Sequence, residues 1–145
     1  MTVAIITAFA FFIDQISKTL VRKHIPEKTR IEIARDKFYL TNVKNTGAAY
    51  GVLKNNRKTL MSLTILSFIM LVAMFKRTLN KDIGSKVGFS LIFGGALGNF
   101  YDRTRKKYVT DFLFIKFKNA PIFNLADVFI AIGNILLILR SFKKR

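Results

Sequence analysis

The hydrophobic pattern contains four long apolar stretches separated by polar and basic segments. A helix that crosses a bilayer needs about 20 residues, with a range of about 17–25. The second stretch holds no charged residue, the third holds only Lys86 near its start, and the fourth holds only Asp127. The first is the least apolar because it includes Asp14 and Lys18. The pattern predicts four membrane spans, over residues 3–21, 59–75, 83–101 and 120–139.

The first stretch has an alternative interpretation as a cleaved signal peptide. Such a peptide has a basic region before its apolar part and a small-residue cleavage site after it. Here the apolar residues 3–13 are followed by the polar sequence DQISK, and no basic region precedes them. We therefore expect a helix that is retained.

The first connection, residues 22–58, has the pattern of short strands rather than of a helix. Residues 30–33 alternate between polar and apolar, residues 38–43 favour β-structure, and a glycine-containing turn follows. Residues 112–118 also alternate and are predicted to add a strand or to lie flat in the membrane interface. The predicted fold is one α-helical integral membrane domain, residues 1–145, with a small extracytoplasmic β-rich region.

The composition adds a strong positive charge, +17 over 145 residues, to a chain that is 51% hydrophobic. The basic residues flank the apolar stretches, which suits anionic lipid headgroups better than a nucleic acid. No cysteine is present, and His24 is the one histidine. We therefore expect no disulfide, no Cys/His metal cluster, no cofactor and no nucleic-acid partner.

The distribution of Lys and Arg predicts the orientation in the membrane. Four spans place both termini on one side. Basic residues are densest in the short second connection and in the tail after residue 139. Because cytoplasmic loops carry the excess of Lys and Arg, the termini are predicted to be cytoplasmic and the first connection and Asp111 extracytoplasmic.

Several polar residues lie where lipid would penalise them. Asp14 and Lys18 are four residues apart and are able to pair on one helix face. Asn124, Asp127 and Asn134 are predicted to lie on one face of the fourth helix, directed into the bundle. Asp111 lies at the far end of the connection between the third and fourth spans, so both acids are expected at the same outer depth.

Two neighbouring carboxyl groups do not readily ionise together, and the pair then holds one proton. That state suits amide hydrolysis, in which the ionised member activates water and the protonated member polarises the carbonyl. A proton or ion relay and simple interhelical hydrogen bonding remain alternatives. So does a small proton-coupled transporter or channel subunit, since such proteins also carry intramembrane acids.

A serine peptidase is a further alternative. Ser17 with Lys18, and Ser85 with Lys86, are sequence neighbours that point in different directions on a helix. No Gly-x-Ser-x-Gly turn accompanies His24. Neither arrangement forms a convincing nucleophile within its own segment.

Five short motifs occur along the chain: DQISK at residues 14–18, KNTGAAYG at 44–51, GGALGNFYDR at 94–103, VTDF at 109–112 and FNLAD at 123–127. Together, and in this order, they closely resemble the bacterial lipoprotein signal peptidase, or type II signal peptidase. The resemblance covers nearly the whole chain. It implies a four-helix membrane aspartic peptidase that cleaves prolipoproteins before a diacylglyceryl-modified cysteine.

By motif, the resemblance assigns the catalytic pair to Asp111 and Asp127. The supporting or substrate-binding positions fall on Asp14, Lys18, Asn45, Gly47, Asn99, Asp102, Arg103, Asn124 and Ala126. We expect a monomer in the bacterial plasma membrane, with lipidated prolipoprotein as substrate and membrane lipids as partners. We also expect small residues such as Gly94, Gly98 and Ala126 to leave room for the substrate helix.

Three positions depart from the family pattern. Lys107 stands where glycine is usual, Thr110 where valine is common, and Tyr50 where phenylalanine is common. These changes leave both acids in place. They bear only on the turn before Asp111 and on the lining near the lipid.

Overall fold

The computed structural model describes residues 1–47, 57–78, 82–118 and 120–143. The helices are α1 (Thr2–His24), α2 (Arg57–Thr78), α3 (Ile83–Arg105) and α4 (Leu125–Lys143). The strands are β1 (Arg30–Ala34), β2 (Phe38–Asn45), β3 (Val109–Ile115) and β4 (Ile122–Phe123). The prediction of four helices with a small sheet is confirmed.

Within the described residues, two helices are long and apolar enough to cross a membrane, namely Thr2–His24 and Leu125–Phe142. The apolar part of α2, Lys58–Met74, is shorter. Large apolar side chains on the outer faces are exposed, among them Phe9 on α1, Ile69 on α2 and Leu139 on α4. Such a surface fits insertion into lipid, because a soluble protein of this size rarely exposes so large an apolar area.

The fourth helix begins at Leu125 rather than at residue 120, which corrects the predicted start of that span. Pro121 precedes a short strand, and Asn124 then caps the helix. The Asp127 N–H donates to Asn124 Oδ1 at 3.1 Å, and the Asn124 N–H donates to Asp127 Oδ2 at 3.2 Å. This reciprocal pair is a capping box, which sets the first turn of α4.

The strands form one antiparallel sheet in the order β1-β2-β3-β4. The first connection supplies β1 and β2, whereas β3 and β4 come from the segment between α3 and α4. Asp111 therefore lies on a paired strand, opposite Val43. The two options for residues 112–118 are decided in favour of a strand as far as Ile115.

The helix α3 packs against the other three helices. Its glycines allow this close approach: a Cβ at Gly94 would clash with Thr7 and Ala10 of α1, and one at Gly98 would clash with the Asp14 carboxyl. These faces are thus filled by α1, so the expectation that Gly94 and Gly98 leave room for a substrate helix is wrong. Ala126 is likewise fully buried.

Lys107, two residues after the end of α3, has a backbone conformation that L-residues seldom adopt. Its φ is 71°, and its N–H donates to the Asp102 carbonyl at 3.1 Å. A left-handed conformation costs about 1–2 kcal/mol for a residue with a Cβ, whereas glycine adopts it freely. This explains why the departure at residue 107 leaves the turn before Asp111 formed but strained.

Candidate active site

The described parts of the five motifs converge where the C-terminal ends of α1 and α3 meet the N-terminal end of α4 and the strands β2 and β3. A small hydrophobic cluster of Val21, Ile25 and Phe112 joins α1 to β3, with Leu40 of β2 and Leu125 of α4 packed against it. The cluster fixes the position of the sheet on the bundle. It thereby determines where β3 presents Asp111.

Asp111 and Asp127 are brought together by a shared asparagine. Asn124 Nδ2 donates to Asp111 Oδ1 at 2.7 Å, and the backbone N–H of Asn124 donates to Asp127 Oδ2 at 3.2 Å. Asn45 Nδ2 donates to the other Asp111 oxygen at 2.8 Å. Asn99 Nδ2 donates to the other Asp127 oxygen at 2.9 Å. Asn124 thus contacts both acids, while Asn45 contacts only Asp111 and Asn99 contacts only Asp127.

Both carboxyl groups line one cavity of about 310 Å³. Its polar lining also includes Asn45, Asn99, Arg103 and Asn124. Its apolar lining consists of Val109, Pro121, Ile122 and Phe123. A cavity with a few converging polar groups and an apolar wall is the usual form of a binding site.

The two acids differ in their surroundings. Asp111 is 4% exposed, and this burial raises its pKa from 3.8 to about 6. The hydrogen bonds from the Asn45 and Asn124 amides lower the pKa, and the negative charge of Asp127 raises it further. Asp127 instead lies in the first turn of α4 and accepts a backbone N–H there. Helix N-termini stabilise negative charge. The geometry thus favours a proton on Asp111.

Arg103 lies next to the acids and is only partly satisfied. Its guanidinium is attracted to Asp127 and Asp111, and more weakly to Asp102. Its Nε is buried without a hydrogen-bond partner among the described residues. The side chain lines the cavity that holds both acids and also a groove of about 270 Å³ formed with α2 and α4. Arg103 therefore stands where the two cavities meet.

Behind the cavity lies a buried cluster of charges. Lys18 Nζ is 2.7 Å from Asp14 Oδ2 and 2.9 Å from Asp102 Oδ2, and all three side chains are fully buried. Lys106 pairs with the other Asp102 oxygen at 2.7 Å. The two lysines balance the two aspartates, which is the arrangement that a buried ion cluster requires.

This cluster is linked to Asp127 through Asn99. Lys18 Nζ donates to Asn99 Oδ1 at 2.9 Å, and Asn124 Nδ2 donates to the same oxygen at 3.3 Å. An ammonium group is a donor only. The Asn99 oxygen must therefore face Lys18, which directs its NH₂ group to Asp127.

The remaining predicted positions support this arrangement from the backbone. The Ala126 N–H donates to Asp14 Oδ1 at 3.0 Å, tying α1 to α4. The Gly47 N–H donates to Asn45 Oδ1 at 2.9 Å, which orients the Asn45 amide toward Asp111. The later part of the KNTGAAYG motif, including Tyr50, lies outside the described residues.

One expectation is not met, and the described contacts give no support to the serine alternative. Asn134 is exposed, and its amide donates to the Ile130 carbonyl, so it is not directed into the bundle as predicted. It lies seven residues after Asp127, on nearly the same side of α4 but about two turns farther along, where the side chain is exposed. Ser17 Oγ donates to the Asp14 carbonyl and Ser85 Oγ to Asp82 rather than to a lysine.

Sequence reasoning missed two contributors. Gln15 Nε2 donates to Asp14 and to the Gly98 carbonyl, bridging α1 and α3; its position inside the DQISK motif was the available signal. The apolar wall from Pro121 to Phe123 was assigned to a helix, and only Pro121 indicated otherwise. Within the described part of the chain, no group of His, Cys, Asp or Glu side chains is arranged to hold a metal ion.

A buried carboxyl group on a strand and a half-buried one in the first turn of a helix line one polar cavity, in a protein whose helices expose apolar surfaces. This arrangement is typical of a membrane-embedded peptidase. The comparisons with known proteins narrow this class. A family model described as signal peptidase (SPase) II matches residues 6–143. The chain belongs to the signal peptidase II family.

Individual relatives agree with the family match. A lipoprotein signal peptidase from Clostridium tetani (strain Massachusetts / E88) is 34% identical over 145 residues, covering 97% of this chain and 92% of that protein. Two solved structures of a bacterial membrane enzyme obtained by the in meso method are similar throughout. The one at 2.3 Å has a TM-score of 0.86 and 30% identity, covering 98% of this chain and 88% of the other. The one at 1.9 Å has a TM-score of 0.87 and 32% identity, covering 99% of this chain and 94% of the other.

Proposed function

We propose that Asp111 and Asp127 are the catalytic pair of this prolipoprotein signal peptidase and that it is an aspartic endopeptidase. Removal of signal peptides from prolipoproteins is the activity of the family and of this chain. That the cleaved bond precedes a diacylglyceryl-modified cysteine belongs to the proposal. The observation that carries the assignment is that Asn124 hydrogen-bonds both acids at one cavity wall.

The proposed mechanism uses one shared proton. Asp127, stabilised at the N-terminus of α4, accepts a proton from a water molecule as the water oxygen attacks the scissile carbonyl carbon. Protonated Asp111 donates a hydrogen bond to the carbonyl oxygen and then its proton to it. Collapse of the tetrahedral intermediate breaks the C–N bond, and the leaving nitrogen takes the proton held by Asp127. Return of the hydroxyl proton to Asp111 restores the starting state.

The groove between α2, α3 and α4 is proposed to hold apolar parts of the substrate. It is lined mainly by Leu60, Leu63, Phe68, Leu71, Phe100 and Ile130, and it reaches Asn99 and Arg103. Because Arg103 also lines the cavity of the acids, apolar groups in the groove would position a neighbouring amide against the pair. The free Nε of Arg103 suits a substrate carbonyl oxygen.

The membrane arrangement completes the proposal. We place all four helices across the bilayer, with both termini in the cytoplasm and the sheet and acids at the extracytoplasmic surface. The distribution of basic residues supports this orientation. The enzyme is proposed to act as a monomer in contact with membrane lipids.

Dependence on the lipid anchor tests the substrate assignment. We expect the purified enzyme to cut a diacylglyceryl-modified precursor with a kcat/KM at least about 100-fold above that of its unlipidated twin, because remote acyl contacts position the amide. The measurement is mass-spectrometric detection of the released signal peptide. Equal values for the two substrates would remove the role given to the acyl chains.

The proton on Asp111 predicts a specific pH profile. Above a pH of about 6 the raised-pKa carboxyl of Asp111 ionises in the free enzyme, so kcat/KM should fall about tenfold per pH unit. The Asn45 amide stabilises the ionised form and lowers this pKa, so Asn45→Ala should move the basic limb to higher pH. A limb that stays in place in Asn45→Ala, or moves to lower pH, would contradict the assignment of the proton.

A further inference from the structure

A groove between α1 and α3 lies apart from the residues that line the two cavities described above. It encloses about 380 Å³ and is walled by Ala4, Ala8, Phe11 and Phe12 of α1 and by Phe93 and Leu97 of α3. Phe12 is 58% exposed, so the groove opens to the lipid-facing surface. Its small residues make room beside α1, and its aromatic rings form the sides.

A second cavity of about 410 Å³ continues the first toward the C-terminal end of α1. Phe11 and Phe12 line both cavities, which makes them one continuous depression. The added lining is polar and basic: Gln15, Thr19, Arg22, Tyr101 and Lys106. Along α1, positions 4, 8, 11, 15, 19 and 22 recur every three or four residues and share one helix face. That face is apolar at one end and cationic at the other.

The positive charge of Arg22, at the cationic end of the depression, is not balanced by a carboxylate among the described residues. Arg22 Nη1 donates to Thr110 Oγ1 at 3.1 Å and Nη2 donates to Thr19 Oγ1 at 2.8 Å, both neutral acceptors. Within the described residues no carboxylate pairs with Arg22, and no acidic side chain is among those lining the cavity. A guanidinium has five N–H donors, so several remain for an anion. Lys106 is already balanced by Asp102.

We propose that this α1–α3 depression binds an anionic phospholipid of the outer leaflet. Its phosphate contacts Arg22, with Lys106 beside it, and one acyl chain follows the apolar groove along Phe11 and Phe12. Charge complementarity selects this occupant. A lipid has an anion joined to an apolar chain, matching the cationic end and the apolar end of one continuous surface. The hydrophobic helix of another protein would leave Arg22 without a partner.

The chain contains no tryptophan, which permits a single-fluorophore test. Phe12→Trp places a reporter in the groove. Ile69→Trp places a control on α2, at a position that is also 58% exposed. Each variant is reconstituted in phosphatidylcholine vesicles containing an equal mole fraction of brominated phosphatidylglycerol or brominated phosphatidylcholine. We expect the anionic quencher to be concentrated about fivefold or more at Phe12→Trp and not at Ile69→Trp, since one basic residue contributes about 1 kcal/mol of attraction.

Charge variants then locate the headgroup. In the Phe12→Trp background, Arg22→Gln should lower the preference about fivefold. Lys23→Gln removes the same charge from the exposed neighbouring residue and should leave the preference for the anionic lipid unchanged. Arg22→Lys should keep most of that preference.

Three results would overturn the proposal. Equal quenching of Phe12→Trp by the two lipids would show no headgroup selection. Equal loss in Arg22→Gln and Lys23→Gln would show only diffuse attraction to a basic protein. Quenching of Phe12→Trp by neither lipid would show that a protein surface covers the groove. The comparison of Phe12→Trp with Ile69→Trp involves no charge change. It therefore tests whether the groove selects the anionic lipid even if Arg22→Gln does not fold.

Discussion

Replacing either catalytic candidate, Asp111→Asn or Asp127→Asn, is expected to reduce cleavage of a lipidated precursor by about 10³-fold or more. An amide at residue 127 is unable to take a proton from water, and an amide at residue 111 is unable to transfer one to the carbonyl oxygen. Asparagine has nearly the same shape as aspartate, so the loss should appear in kcat. Release of the signal peptide by purified protein is the measurement.

The control for these variants is Asp36→Asn. Asp36 is an exposed carboxylate on the turn between β1 and β2, where it pairs with Lys116 and hydrogen-bonds the Tyr39 hydroxyl. It should cleave at the rate of the unaltered enzyme. Substantial activity in either Asp111→Asn or Asp127→Asn, with the protein folded, would rule out the acid pair and reopen the choice of nucleophile.

Lys18→Met is expected to destabilise the fold by about 3–5 kcal/mol. The change leaves Asp14 without its counter-charge in a site of zero exposure. It also removes the donor that fixes the Asn99 amide, so kcat should fall about 100-fold through loss of orientation at Asp127. Thermal unfolding in detergent and the cleavage assay measure the two effects.

Two further variants separate stability from orientation. Asp14→Asn in the Lys18→Met background removes the uncompensated charge, so stability should recover in part while kcat stays low. Lys116→Met breaks an exposed ion pair and should leave the unfolding temperature unchanged. An unfolding temperature of Lys18→Met equal to that of the unaltered enzyme would show that the cluster does not carry the charge balance assigned to it.

The periodic features of the chain were predictable from its sequence. The apolar stretches predict α1, α2 and α3 with small errors. Alternation predicts β1 and β3, and β-favouring residues predict β2. Asp111 and Asp127 stood out because ionisable residues next to apolar stretches demand an explanation. The motif resemblance then supplied the supporting positions, which the structure gathers around one cavity and the charges behind it.

Other features depend on partners that lie far apart in sequence. Hydropathy alone assigned residues 120–124 to a helix, because the capping exchange between Asn124 and Asp127 is not visible in an apolar count. The sequence does not show why residues 94 and 98 are glycines, because the reason is that α1 packs directly against them. The orientation of Asn99 follows from Lys18, 81 residues away.

The packing of the sheet on the helices has a consequence for inhibition. One acid lies on strand β3 and the other on helix α4. The hydrophobic cluster of Val21, Ile25 and Phe112 connects these two elements, because Leu125 of α4 packs against it. A small molecule that binds between Phe112 and α1 would move the two acids apart without entering the cavity that they line. Antibacterial compounds of that kind would not compete with the precursor, and resistance to them would arise in the hydrophobic cluster rather than at the two proposed catalytic acids.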